Sequence, residues 1–297
     1  MTGARGYVGR HLLDTLPRAG FDVIAAVRSE GAPLPVPVRA GDLADPAHAR
    51  AVMGDVDVVV HAAARVEGRE PARFWRDNVE ATRALVQAAE SRPFVHLSTV
   101  MVYGLGAHYQ TDESATPDTR GVVYAETKLA SEAEVVRGGG PWVALRPGVV
   151  WGGPYDGRLM PRLRSLARSP VVPLPGPCTT SMPWSHVDNL ADLVEALLLA
   201  GPAAFPGGPM NATDGTDIGF REFVERYLEA HKQRRWVVSV PLPGVAQLLD
   251  RLPSLGRGLS GDVLRLFGTN CTFSNALARR LTGWAPRLRE HLAVTAR

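Results

Sequence analysis

Apolar runs of four to seven residues recur through the first half of the chain, separated by stretches with helical spacing. The runs are 21–27 (FDVIAAV), 56–60 (VDVVV), 94–97 (FVHL) and 142–145 (WVAL). Nearly continuous runs of this length predict strands buried on both faces, as in a parallel sheet. Between them, residues 10–16, 47–53, 71–89 and 124–136 carry apolar positions at helical period. Strands alternating with helices predict βαβ units and an α/β fold with a doubly wound parallel sheet. After Pro147 the pattern loosens. A Pro-rich loop (169–183), a helix (187–199), a Pro/Gly loop (201–209), an amphipathic helix (220–230) and a Leu-, Val- and Pro-rich run (240–255) follow. The expected division is a sheet domain over 1–150, with a return segment at about 184–215, and a small C-terminal lobe from 151–183 and 216–297 that caps the ligand face.

Composition narrows the class. A chain of 297 residues holds one large domain or two ordinary ones. Thirty glycines and twenty-four prolines make it turn-rich without reaching a disordered composition. The net charge is only +3, and the arginines are scattered. The one compact basic spot, His231, Lys232, Arg234 and Arg235, reads as a solvated helix end, so no nucleic-acid partner is expected. Cys178 and Cys271 form no disulfide framework, and with eight histidines they show no metal-ligand spacing, so no metal is expected. With no signal-peptide pattern and no apolar stretch of membrane length, the reading is a cytoplasmic protein without a membrane span.

Candidate chemistry begins at Thr2, where T-G-x-x-G-x-x-G runs into a helix through Gly3, Arg5, Gly6, Tyr7, Val8 and Gly9. Glycines there let a diphosphate approach the backbone, and the helix N-terminus favours its charge. Such a loop follows a central buried strand of about five residues, yet only Met1 precedes it. This reading expects residues upstream in the natural chain, or Met1 standing at that strand's end. About twenty residues on, the second strand ends Val27-Arg28-Ser29. A carboxylate there would suit the ribose of NAD, whereas Arg28 suits the 2′-phosphate of NADP, with NAD left open. Asp42, in Gly41-Asp42-Leu43, is placed to accept from an adenine amino group, and Ala62, Ala63 and Ala64 let backbone lie along a flat ligand. The adjacent His61 reads as a packed strand-end histidine.

Tyr124 and Lys128 form Y-x-x-x-K, which puts both on one helix face. A phenol titrates near 10, and a neighbouring ammonium favours the phenolate and brings proton transfer toward neutral pH. Ser98 and Thr99 follow the strand at 94–97, where a hydroxyl can bond the same substrate oxygen.

The strings TGARGYVG, GDL, VVVHAAA, NVEAT (from Asn78), LSTVMVYG, YAETK and RPGVVWG span residues 2–152. Together they resemble the extended short-chain dehydrogenase/reductase family, with its NAD-dependent epimerase/dehydratase, 3β-hydroxysteroid dehydrogenase and dihydroflavonol-reductase-like branches. Weaker matches continue through His186-Val187-Asp188-Asn189, NATDG and LTGWAP. The resemblance implies a Rossmann domain with a small substrate lobe, and hydride transfer between the nicotinamide of NADP, or NAD, and a secondary alcohol or ketone. It implies Tyr124 as acid/base, Lys128 as its partner, Thr99 ahead of Ser98 as the hydroxyl, the Asn78 helix among the cofactor contacts, and Pro147 beside the nicotinamide. A homodimer through two helices beside the sheet follows the family habit.

Two departures select within the family. Val100 and Met101 stand where 4,6-dehydratases carry an Asp-Glu pair, which argues against dehydration. Met182 stands where nucleotide-sugar epimerases carry a diphosphate-binding Arg, although Arg162, Arg164 or Arg168 could substitute. An alcohol/ketone oxidoreductase therefore leads, with a nucleotide-sugar epimerase or reductase as the alternative.

Overall fold

The computed structural model describes residues 1–155, 159–241 and 268–287. After the glycine turn come α1 (Tyr7–Thr15), β1 (Ala25–Val27), β2 (Val38–Ala40), α2 (Pro46–Met53) and β3 (Val59–His61). A longer helical stretch follows, made of α3 (Pro71–Phe74), one wide π-type turn (Trp75–Glu80) and α4 (Ala81–Ala89). Then come β4 (Phe94–Leu97), a tight turn (Val100–Tyr103), β5 (His108–Thr111), α5 (Val123–Arg137), β6 (Trp142–Arg146) and β7 (Val149–Trp151). The remaining elements are α6 (Leu159–Leu166), β8 (Val171–Pro175), β9 (Trp184–His186), α7 (Val187–Ala200), β10 (Gly208–Asn211), α8 (Phe220–Ala230), β11 (Trp236–Val240), β12 (Cys271–Phe273) and α9 (Ala276–Thr282).

The main sheet is parallel throughout. One half runs β10-β6-β4-β3 and the other is the β1-β2 pair. Thr2 joins them, bridging His61 of β3 on one side and Ala26 of β1 on the other. Its N–H donates to Val60 O at 2.9 Å, and Met1 O accepts from Ala26 N at 2.8 Å. Met1 and Thr2 thus occupy the central place that the glycine loop requires. The strand order reverses there, and an open α/β sheet binds its ligand at such a switch point.

Side chains alternate between two cores. One face buries Leu12, Leu16, Val95, Leu145, Leu193 and Leu197 beneath α1 and α7. The other buries Val52, Leu85, Val86, Phe94 and Val135 beneath α2, α4 and α5. All residues of β3 and β4 are buried, including His61 and His96, as strands covered on both faces require. A third core gathers Trp151, Leu163, Leu174, Met182, Trp184 and Phe223, with the Trp184 and Phe223 rings stacked 4.1 Å apart. It joins α6 and α8 to the parallel pairs β7·β9 and β8·β11.

Several elements differ from the sequence pattern. The stretch 169–183, expected as a Pro-rich loop, contains β8, which pairs with β11, and the strand expected over 56–60 is paired only from Val59 to His61. Of the run 21–27 only Ala25–Val27 pairs with β2, and Asp22 lies exposed before it. The helix expected over 71–89 is interrupted at Trp75–Glu80, where the wide turn directs Asp77, Asn78 and Val79 inward. Such turns are rare and favour functional sites. Of the run 240–255, residues from 242 onward lie outside the described residues.

Asp214 ties the end of the sheet to α7. Its oxygens accept from the His186 N–H and from Asn189 Nδ2, both at 2.8 Å. Burial nevertheless pushes its carboxyl up to about 7. An unfolded carboxyl titrates near 4, so the folded chain holds an extra proton between these values. Its contribution to stability is therefore full below about pH 4 and is lost as pH rises through 7, by at most about 4 kcal/mol. In thermal melts, the margin of the wild type over Asp214→Asn should shrink between pH 5 and pH 8. A margin that does not change with pH contradicts this.

Candidate active site

The glycine loop has its composition for steric reasons. Gly3 sits at φ +72°, and a Cβ there would lie 2.6 Å from the Ala62 carbonyl carbon. A Cβ on Gly9 would lie 2.0 Å from Gly3 O, so the loop and the first turn of α1 pack backbone to backbone. Gly6 precedes α1 without a side-chain cap, which leaves the helix N-terminus to an anion. Tyr7 instead donates to Gly152 O at 2.5 Å, tying α1 to the stretch after β7.

Beside this loop opens a cavity of about 450 Å³. Of the residues singled out in the sequence, Gly3, Arg5, Arg28, Asp42, Leu43, Ala63 and Ala64 line it. Gly6, Tyr7, Val8, Gly9, Ala62, Asn78 and Pro147 do not line it. A cradle of glycine and alanine backbone with a basic rim suits the adenosine and diphosphate of a dinucleotide.

The rim holds charges that sequence reasoning missed. Arg28 Nη2 donates to Asp77 Oδ1 at 2.8 Å, and Arg65 donates to Asp77 Oδ2 through Nε and Nη2, both at 2.7 Å. Arg76 reaches Asp77 at 3.5 Å and bonds Asp42 Oδ2. Its guanidinium holds the Asp42 carboxyl below the usual carboxylate value, and Asp42 Oδ1 accepts from Ala44 N at 3.0 Å. Any adenine bond to Asp42 is thus shared with Arg76. Asn78 fixes the same rim from below. Its Oδ1 accepts from Arg65 N at 2.6 Å, while Nδ2 donates to Arg65 O and Thr127 Oγ1, both at 3.0 Å. The only sequence signal for this cluster was its adjacency to Asn78.

The candidate catalytic residues, with Pro147, lie just after β4 and β6 and in the first two turns of α5. Tyr124 is half-buried in the first turn of α5. Lys128, one turn on, is fully buried, and its Nζ lies 3.1 Å from His96 Nε2. Burial pulls the Lys128 ammonium down to about 7, opposed by the charge of Glu132. Pro147 O accepts from Val100 N at 2.9 Å, which locks the exit of β6 to the turn carrying the hydroxyls.

The two hydroxyls differ. Ser98 Oγ donates to Glu132 Oε1. That carboxylate is also held by Arg146, from Nε at 3.0 Å and Nη2 at 2.6 Å, and the guanidinium lies 4.7 Å from the Tyr103 ring. Thr99 Oγ1 accepts from Met101 N at 3.2 Å, and its own proton has no acceptor among the described residues. Thr99 therefore has a proton to offer a ligand, whereas Ser98 does not. Glu132 went unnoticed in the sequence, although its place four residues after Lys128 was the available signal. His61 is packed inside the sheet, as expected, and burial pushes it down to about 3.

The profile of the NAD dependent epimerase/dehydratase family matches residues 1–212. The chain belongs to this family. It is an NAD(P)-dependent enzyme of the extended short-chain dehydrogenase/reductase type. It is 31% identical to a 4-hydroxy-2-methyl-3-oxo-4-farnesyl-3,4-dihydroquinoline-1-oxide ketoreductase of Stigmatella aurantiaca, over 97% of this chain and 92% of that one. It is 32% identical to a 2-alkyl-3-oxoalkanoate reductase of Stenotrophomonas maltophilia, over 77% of this chain and 74% of that one. In fold it is similar to a UDP-glucose 4-epimerase of Thermotoga maritima solved with UDP-glucose, with a TM-score of 0.80 at 21% identity over 99% and 96% of the two chains. Among the described residues no helix is long and apolar enough to cross a membrane.

Proposed function

We propose that this enzyme is an NADP-preferring reductase of apolar ketones, or a dehydrogenase of the matching secondary alcohols. The observation that carries the substrate class is Met182. At the place where nucleotide-sugar enzymes grip a diphosphate, this side chain is 2% exposed and packed in the aromatic core of the lobe. Arg164 and Arg168 lie exposed on and just beyond α6, and Arg162 is half-buried. The two relatives above are named for reducing carbonyls on alkyl or farnesyl-bearing molecules, which supports the same class.

Bound NADP supplies the hydride donor or acceptor. Arg28, Arg65 and Arg76 would hold its 2′-phosphate, and the 3–5 loop with the 63–64 backbone would hold its diphosphate and adenosine. Tyr124 Oη gives its proton to the ketone oxygen in reduction and takes it back in oxidation. The Lys128 ammonium, on the same face of α5, favours the phenolate. Thr99 Oγ1 donates to the same substrate oxygen and orients it, while Ser98 serves the Glu132–Arg146 pair. The described residues of 151–183 and 216–241 would form the substrate lobe, whereas Ala278 and Trp284 pack into the sheet core beneath α1 and α7. The reading also carries a homodimer through the outer sides of α4 and α5, where Val136 is exposed, and a reducing cytoplasm suited to two free, buried cysteines.

The test is a thermal-shift comparison of NADPH with NADH, followed by a carbonyl panel with the better cofactor. NADPH should give the larger shift. Arg28→Ala should weaken NADPH by about tenfold, the low end for a charged hydrogen bond because Arg28 is 61% exposed, and leave NADH unchanged. A larger shift with NADH overturns the cofactor reading. Turnover of UDP-sugars with tightly retained NAD overturns the substrate reading.

A further inference from the structure

Beneath the candidate site two histidines lie face to face inside the sheet. His61 of β3 and His96 of β4 are opposite in the parallel register, with ring centroids 5.3 Å apart and planes 29° from parallel. Both are wholly buried. Counting protons fixes the first ring. Thr82 Oγ1 gives its only proton to Asn78 O at 2.5 Å, so His61 Nε2 carries the proton that meets Thr82 Oγ1 at 2.9 Å. His61 Nδ1 then accepts from Thr2 Oγ1 at 2.7 Å. His61 is neutral and both its nitrogens are satisfied.

His96 is not settled in this way. Its Nε2 meets Ser131 Oγ at 2.9 Å and Lys128 Nζ at 3.1 Å. Ser131 Oγ gives its proton to Lys128 O at 2.7 Å, so it can only accept from His96. A Lys128 ammonium has only protons to offer, so it requires His96 Nε2 to be bare. One nitrogen cannot do both. His96 Nδ1 is buried without a partner among the described residues, so the outcome is decided at Nε2.

We propose that His96 is a positioning residue for Lys128, its Nε2 accepting from the ammonium when Lys128 is charged and donating to Ser131 when Lys128 is neutral. The consequence for catalysis rests on the role given to Lys128 above. The polar and charged groups packed here are Lys128, Ser131 and Glu132 from α5, His61 from β3, His96 from β4 and Arg146 from β6. Glu132 is taken by Arg146 and Ser98. Among the described residues, His96 is the acceptor that Lys128 Nζ has. Burial drives this lysine toward the neutral amine, and a bare imidazole nitrogen opposes that drift. His96 thereby keeps a cation at neutral pH on the helix face that Lys128 shares with Tyr124.

Long-range proton–nitrogen correlation spectra of the histidine-labelled protein test this directly. Below neutral pH His96 should carry its proton on Nδ1, and above it on Nε2, with a midpoint near 7. Lys128→Met should lock His96 as the Nε2–H form at every pH, with His61 unchanged. A His96 tautomer indifferent to both pH and Lys128→Met overturns the proposal. The catalytic consequence is read from the Tyr124 phenol, titrated by ultraviolet difference against Tyr124→Phe. His96→Phe should move that titration up by about one pH unit. His96→Gln, whose amide oxygen reaches the Nε2 place, should restore it, and the shorter His96→Asn should not. No movement in His96→Phe, or equal rescue by Asn and Gln, overturns positioning. If His96→Phe does not fold, the Lys128→Met spectra decide. None of these readouts needs a substrate. A protein whose His96 tracks Lys128 but which reduces no ketone therefore overturns the functional reading alone.

Discussion

Tyr124→Phe is expected to lower kcat for ketone reduction by about 10²- to 10⁴-fold, the usual worth of a positioned acid/base, while NADPH affinity stays within a factor of about two. The substitution removes only Oη. The ring remains in the first turn of α5, and the cavity that receives the dinucleotide is lined by other residues, from Gly3 to Ala81. Steady-state kinetics and a fluorescence titration with NADPH separate the two effects. A variant that keeps more than a tenth of wild-type turnover shows that another group moves the proton.

Glu132→Ala is expected to have the largest effect on stability. Glu132 and Arg146 are 6% and 3% exposed, and removing the carboxylate leaves a buried guanidinium uncompensated. Arg146 Nη1 already lacks a partner among the described residues, so the group has no reserve of bonds. Breaking such a pair costs about 3–5 kcal/mol, a fall in melting temperature of roughly 10 °C for a chain of this size. Ser98 loses its acceptor in the same variant. The exposed Asp118–Arg120 pair is the control, and Asp118→Ala should leave the melting temperature nearly unchanged. Equal shifts in the two variants contradict the account of the Glu132 cluster.

The strands at 94–97 and 142–146, and the one expected at 56–60 that forms at 59–61, were legible because strands buried on both faces are written as nearly continuous apolar runs. The helix at 220–230 was legible from its amphipathic spacing. The wide turn at Trp75–Glu80 was not, because apolar spacing on either side of it still fits one helix. Gly3, Arg28, Asp42, Ala63 and Ala64, which the structure gathers around one cavity, could be singled out in the sequence because each has a local steric or charge reason. Asp77, Arg65 and Arg76 were not readable, because their meaning lies in ion pairs between β1, the 63–67 loop and the wide turn. Likewise, nothing local separates Ser98 from Thr99. The separation comes from Glu132, thirty-four residues away along the chain from Ser98.

The most direct measurement uses NADPH deuterated at nicotinamide C4 and a bulky apolar ketone, with wild type and Tyr124→Phe in parallel. The account predicts deuterium on the new carbinol carbon with the wild type and almost none with Tyr124→Phe. Equal labelling by the two proteins, or no labelling of any ketone while UDP-glucose is turned over, would contradict it.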